Sequence, residues 1–212
     1  MQQTTIQNNF NEIITGRRSI RNYDPTVKIS KEEMTQILQE ATLAPSSVNL
    51  QPWRFLVIES AEGKAKLAPL AKFNQVQVET SAAVIAILGD LQSVDNAEEI
   101  YGKAVELGYM SDEIRERQLT AITNYYAHIS PELNKDTVLI DGGLVAMQLM
   151  LVARAHGYDT NPIGGFEKDQ IVAAFGLDAT RYVPVMLVSI GKAVEAGYTS
   201  VRLPVDKVAF WK

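Results

Sequence analysis

Over residues 136–156 the chain is apolar almost all round a helix: Val138, Leu139, Ile140, Leu144, Val145, Met147, Leu149, Met150, Leu151 and Val152 leave no polar face. A helix of that kind must be buried on every side, in a core or in a subunit interface. The rest of the chain has to wrap it or pair across it. Gly157 is placed to cap its C-terminus. The longest apolar run inside it, 142–153, is too short to span a bilayer and is flanked by Asp141 and Arg154. Residues 1–9 are polar and carry no basic stretch followed by an apolar core, so no signal peptide is read there. The expectation is a soluble, cytoplasmic protein with no membrane partner.

Shorter elements follow from local pattern. Ile6, Phe10, Ile13 and Ile14 predict a helix from about residue 5 to 15, stopping near Gly16. Ser30-Lys31-Glu32-Glu33 reads as a capping box, with Glu33 reaching back to Ser30. The helix it opens carries Met34, Ile37, Leu38 and Ala41 on one face and ends before Pro45. Residues 55–58, 83–88 and 182–190 read as strands, the last with Pro184 near its start. Helices are expected over 62–70, over 96–127 with a break near Gly108, and over 167–175. Glu113 and Arg117 are spaced for an i,i+4 pair. Residues 162–166 read as a tight loop, and the tail 193–212 cannot form a core of its own. Helices mixed with a few separated strands suit an α+β domain with one sheet.

Arg17-Arg18-Ser19-Ile20-Arg21 puts three guanidinium groups and a hydroxyl within five residues of a chain whose net charge is −5. Concentrated cation on an acidic background points to a small anionic ligand, since a nucleic acid would need a broad basic face. Guanidinium forks match phosphate oxygens, and Ser19 adds a donor. If the segment is extended, Arg17, Ser19 and Arg21 share one side and Ile20 anchors the other. The alternative stays open: basic residues after a helix C-terminus complement its dipole.

The absence of cysteine excludes disulfides, cysteine nucleophiles and thiolate metal sites, and only His128 and His156 are present. No metal is expected. There is no G-x-G-x-x-G and no phosphate-binding P-loop, so a dedicated dinucleotide domain is not expected either.

The stretches RRSIRNYDP, APSSVNLQPWRFLV, NPIGGF and SVRLP, in that order and at those intervals, resemble the FMN-dependent nitroreductase family. The likeness covers almost the whole chain. It implies a three-layer sandwich, a central, mostly antiparallel sheet flanked by helices, in an intertwined homodimer with two FMN sites at the interface. Residues 1–192 would be the FMN-binding domain. Residues 193–212 would be an extension embracing the partner, and helix 136–156 would be interface core.

The resemblance further implies that Arg17, Arg18, Ser19 and Arg202 hold the FMN phosphate and ribityl chain. Arg21 would lie by the pyrimidine edge, where a cation stabilises the charge of reduced flavin. Asn74 and Gln77 would bond that edge. Pro45, Ser46, Ser47 and Asn49 would come from the partner subunit. Pro162, Ile163, Gly164 and Gly165 would pass along the ring and aim a backbone N–H at N5. Tyr125 and Tyr126 would lie over the substrate. No side chain acts as a catalytic acid or base in this picture. Two departures stand out: some relatives have an acidic residue at Gly164 and a lysine at Gln77.

The implied function is an enzyme. NADH or NADPH passes hydride to flavin N5 and leaves, and a nitroaromatic, a quinone or a similar acceptor takes its place in a ping-pong cycle. An enone, a halogenated ring or a flavin-derived reaction would suit the same fold. The alternative from another class is a flavin-binding or redox-sensing module without turnover.

Overall fold

A computed structural model describes residues 9–212. Strands β1 (Trp53–Ile58), β2 (Ala83–Asp90), β3 (Asp159–Ile163) and β4 (Tyr182–Gly191) form one antiparallel sheet in the order β1-β2-β4-β3. The central strand β2 is buried at all eight positions. Its side chains alternate between two helical layers, as the pleat requires. Ile85 and Ile87 pack with residues of α2 (Lys31–Ala41) and α7 (Pro131–Ala155). Val84, Ala86 and Leu88 pack with α3 (Ala61–Leu67), α4 (Gln75–Thr80) and α8 (Lys168–Ala174). Three layers result. Each fully buried leucine or isoleucine in them is worth about 1.5–3 kcal/mol.

The remaining helices are α1 (Phe10–Gly16), α5 (Ala97–Glu106) and α6 (Asp112–Tyr126). Residues 5–8 of the helix expected at the N-terminus lie outside the described residues. On α6 the pairing cation is Arg115, to Asp112 and to Glu98 of α5, in place of the expected Arg117. In α2 the Ser30 hydroxyl accepts the Glu33 N–H at 3.1 Å, but the Glu33 carboxylate does not return to Ser30. It accepts the Tyr158 hydroxyl at 2.8 Å instead. A partner beyond the C-terminus of α7 is invisible to local pattern.

Helix α7 begins at Pro131, before the apolar pattern starts, because Ser130 caps Leu133 N at 3.1 Å and proline suits the first turn. Gly142 lets it press on β4: a Cβ there would stand 2.5 Å from Val185 Cγ2. Val138, Val145, Leu149 and Ala153 are buried, whereas Ile140, Leu144 and Met147 on the outer face stay exposed. Among the described residues α7 is the one helix long and apolar enough to cross a membrane, and its inner face is committed to the core.

One element was expected as loop. Pro162 and Ile163 end β3, which pairs with β4 from Asp159↔Gly191 to Ile163↔Leu187. Proline is tolerated because β3 is an edge strand. Pro184 sits at a register shift opposite Leu88, the other place in a sheet where proline fits. The outer edge of β3 meets the arginine segment: Ser19 bridges Thr160, and Ile20 N donates to Thr160 O at 3.1 Å.

Candidate functional site

A cleft of about 580 Å³ opens where the end of β3, the start of α4 and the arginine segment meet. Seven of the residues singled out in the sequence line it: Arg21, Asn74, Gln77, Pro162, Ile163, Gly164 and Gly165. Asn74 binds its wall together. Its Nδ2 donates to Gly165 O at 3.3 Å, and its Oδ1 accepts Gln77 Nε2 at 3.1 Å. Those two bonds leave one hydrogen and one lone pair on the Asn74 amide, and the Gln77 carbonyl adds a further acceptor. The Gly165 backbone is thereby fixed to α4 across the cleft.

Neither Gly164 nor Gly165 has a positive φ, and a Cβ at either would meet nothing within 4 Å. The fold by itself does not demand glycine there. The N–H of Arg21 donates to Glu195 at 3.3 Å, and its guanidinium lies 5.7 Å from the Tyr198 ring centroid. Asn161, the first residue of the NPIGGF stretch, joins the wall, as do Phe73, Glu195 and Tyr198, which carry no mark in the sequence. Glu195 and Tyr198 belong to the tail, and only its fold-back onto the Tyr23↔Ala193 bridge brings them in.

Four residues before Arg21 of the cleft, Arg17 follows α1 as its C-cap. Its Nη1 is buried without a hydrogen-bond partner. Burial lowers the Arg17 pKa, and the nearby charges of Arg202 and Arg18 lower it further. Guanidinium groups from opposite ends of the chain thus lie near enough for their charges to disfavour each other. Arg18 is turned onto the helix end, its Nη1 donating to Thr15 O at 2.7 Å and Arg17 O at 2.9 Å. For that arginine the helix-terminus reading holds within this chain.

The other predicted residues sit elsewhere. None of Pro45, Ser46, Ser47 and Asn49 lines the cleft. They form a turn in which Val48, Asn49 and Gln51 all have positive φ, 41°, 55° and 50°. Each such residue costs about 1–3 kcal/mol, so the shape has to be imposed from outside. Ser46 Oγ accepts Gln51 N at 3.0 Å, Asn96 Nδ2 donates to Leu50 O at 2.8 Å, and the Tyr101 hydroxyl donates to Val48 O at 3.1 Å. Ser47 N donates to both Asp141 oxygens at 3.1 Å. Tyr126 stands beside this turn: burial raises its phenol pKa, and the Ser47 hydroxyl offsets part of the rise. Tyr125 meets it edge-on at 5.5 Å between ring centroids. Within one chain the predicted residues therefore fall into three sets, one in the cleft, one on this turn and one formed by Arg17, Arg18 and Ser19 with Arg202.

A model of the nitroreductase family matches residues 14–192. The chain belongs to that family. The matched region of this nitroreductase-family chain runs from α1 to just past β4. YdgI of Bacillus subtilis (strain 168), named provisionally as an NAD(P)H nitroreductase, is 67% identical over 205 residues, 97% of this chain and 98% of that one. The CLA biosynthesis enone reductase of Lactiplantibacillus plantarum is 39% identical over 191 residues, covering 90% and 88% of the two chains. The crystal structure of a provisionally named nitroreductase in complex with FMN, from Exiguobacterium sibiricum 255-15, matches with a TM-score of 0.96 at 68% identity. That match covers 99% of this nitroreductase-family chain and 100% of the other, the tail included.

Proposed function

We propose that this chain is an FMN-dependent NAD(P)H oxidoreductase that acts as a homodimer in the cytoplasm on small electron acceptors of the nitroaromatic or quinone kind. The observation that carries the reading is Arg17: a buried guanidinium nitrogen without a partner, beside Arg202. A phosphate monoester supplies what that pair lacks. The cleft that Arg21 lines fits the rest of the group. Asn74 and Gln77 offer amides to an edge that alternates donors and acceptors, and two glycines that the fold does not need leave backbone approachable by a flat ring. FMN, when bound, supplies a carrier that takes hydride from NADH or NADPH and hands it to the acceptor.

The chain's own residues then have separable tasks. Arg17, Arg18, Ser19 and Arg202 hold the phosphate and ribityl end. Arg21 places positive charge at the pyrimidine edge, and the backbone of 162–165 orients the ring. Residues 45–49 and the tyrosines 125 and 126 face the same cofactor from the partner subunit and shape the space the acceptor enters. Two features support the dimer: the exposed stripe Ile140, Leu144 and Met147 on α7, and a tail whose Val201, Leu203, Phe210 and Trp211 are exposed in the single chain. On this reading residues 1–192 form the flavin-binding domain and 193–212 the extension packed on the partner.

The test is direct. The purified protein is expected to be yellow, to bleach anaerobically with NADH or NADPH, and to recolour with a nitro compound or a quinone. A colourless protein that takes up no added FMN removes the reading. Tight FMN binding with no NAD(P)H oxidation by any acceptor favours a sensing module instead. The 39% identity to an enone reductase recommends an enone in the acceptor panel.

A further inference from the structure

Asp141 lies in the middle of α7, 5% exposed, one turn from the core residues Val138 and Val145. Burial raises its pKa, and the Ser47 backbone bond, lowering it, is the counter-influence; no cation contributes. A buried carboxylate without a counter-charge is unfavourable for stability. It is not explained by packing, because a leucine or asparagine of similar size would serve the core as well.

What it grips is the strained turn. Both of its oxygens stand 3.1 Å from the single N–H of Ser47, the residue immediately before left-handed Val48. A β-branched residue at positive φ is a true outlier, and such geometry persists only where the surroundings over-determine it. Tyr101 and Asn96 hold the far end of the turn. Asp141 holds its near end, and does so from the core helix.

We propose that Asp141 is a positioning residue of the flavin site, fixing the 46–51 turn through the Ser47 N–H so that Ser46, Ser47, Asn49 and neighbouring Tyr126 are presented in one shape. The inference rests on the reading of that turn as a cofactor contact made across the dimer. Asparagine cannot take over the task in the same pose. With both oxygens equidistant from one N–H, an amide NH2 in place of either sets a donor against a donor. Stability and function therefore part company at this position, which a purely structural residue would not allow.

The experiment compares the FMN-loaded wild type with Asp141→Asn and Asp141→Ala. Amide hydrogen exchange over residues 46–51 is expected to quicken about tenfold in both, the loss of one charge-assisted hydrogen bond. kcat/KM for the acceptor is expected to fall by about the same factor, and the visible flavin band to move, while Asp141→Asn melts no lower than wild type at pH 7.5. Unchanged exchange over 46–51, or an unchanged flavin band together with unchanged kcat/KM, overturns the inference. So does an activity loss that merely tracks a lower melting temperature. If Asp141→Ala does not fold, Asp141→Asn alone decides. A wild type that takes up no FMN sinks the flavin reading, whereas unchanged exchange in variants of a yellow wild type sinks this inference alone.

Discussion

Arg181 meets Asp90 side-on through two bonds, Nε to Oδ1 and Nη2 to Oδ2, both 2.8 Å. Arg54 reaches the same carboxylate from β1 at 2.7 Å. One wholly buried acid at the end of β2 thus ties both neighbouring strands to the centre of the sheet. Asp90→Ala leaves two guanidinium groups facing each other, and its expected cost is about 3 kcal/mol in urea unfolding. That is the low end for a broken buried pair, because both arginines keep partial contact with solvent. A loss below about 1 kcal/mol would show the pairing to be incidental.

Arg17→Ala and Arg202→Ala are each expected to weaken FMN binding by roughly ten- to a hundredfold, the loss of charge-assisted bonds to a phosphate. Because the two cations repel each other in the apo protein, neither change is expected to lower the apo melting temperature. Titration of apo protein with FMN, beside a melting curve, checks both halves. Unchanged affinity in both variants would mean that the phosphate lies elsewhere.

Gly142→Ala tests the seam between α7 and β4. Alanine favours a helix over glycine by about 1 kcal/mol. Here its Cβ would stand 2.5 Å from Val185 Cγ2, so overpacking should win and the variant lose about 1–3 kcal/mol. Gly142→Ala combined with Val185→Ala is expected to recover part of that loss in a double-mutant cycle. Additive losses would show that the contact is not the cause.

The pH dependence of Asp141→Asn has a definite sign. Burial raises the carboxyl pKa in the folded chain above its unfolded value. Its contribution to stability is therefore fully present below the unfolded value and is lost as pH rises through the folded one. Asparagine does not titrate. The melting temperature of the variant minus that of the wild type should accordingly become more positive from about pH 4 to pH 7.5. A flat or falling difference would mean that the carboxylate is compensated by something beyond the Ser47 N–H.

If the tail is the partner clasp proposed above, the 23.4 kDa chain without residues 193–212 is expected to be a monomer that does not retain FMN. The stripe Ile140, Leu144 and Met147, already exposed in the single chain, would then lose the partner proposed to cover it. Sedimentation equilibrium and the visible spectrum report the two effects. A truncated dimer that stays yellow would reduce the tail to a bystander.

Local pattern reads α2, β2 and α7 well because each is governed by which of its faces is buried. It misses β3, since Pro162, Gly164 and Gly165 are the usual punctuation of loops, and only position at the sheet edge makes Pro162 acceptable in a strand. The candidate site is legible in parts. Arg21, Asn74, Gln77 and Gly165 come from three separate segments, and nothing local links them; their order along the chain, matched to a family, does. Glu195 and Tyr198 stay hidden because the tail has no periodicity to mark its fold-back. Glu33 goes astray for another reason: it has two competing partners, the Ser30 end of its own helix and the Tyr158 hydroxyl, and the sequence does not rank them.

The pairing of Ser19 with Thr160 has a consequence for handling the protein. Without it, the outer rim of β3 would present bare carbonyls and amides to any other chain in solution, with Pro162 as its only natural deterrent. The segment proposed to hold the flavin phosphate thus also covers part of the open margin of the sheet. Preparations of Ile20→Ala, which loses the buried side chain that anchors this segment, should on that account cloud and precipitate sooner than the wild type.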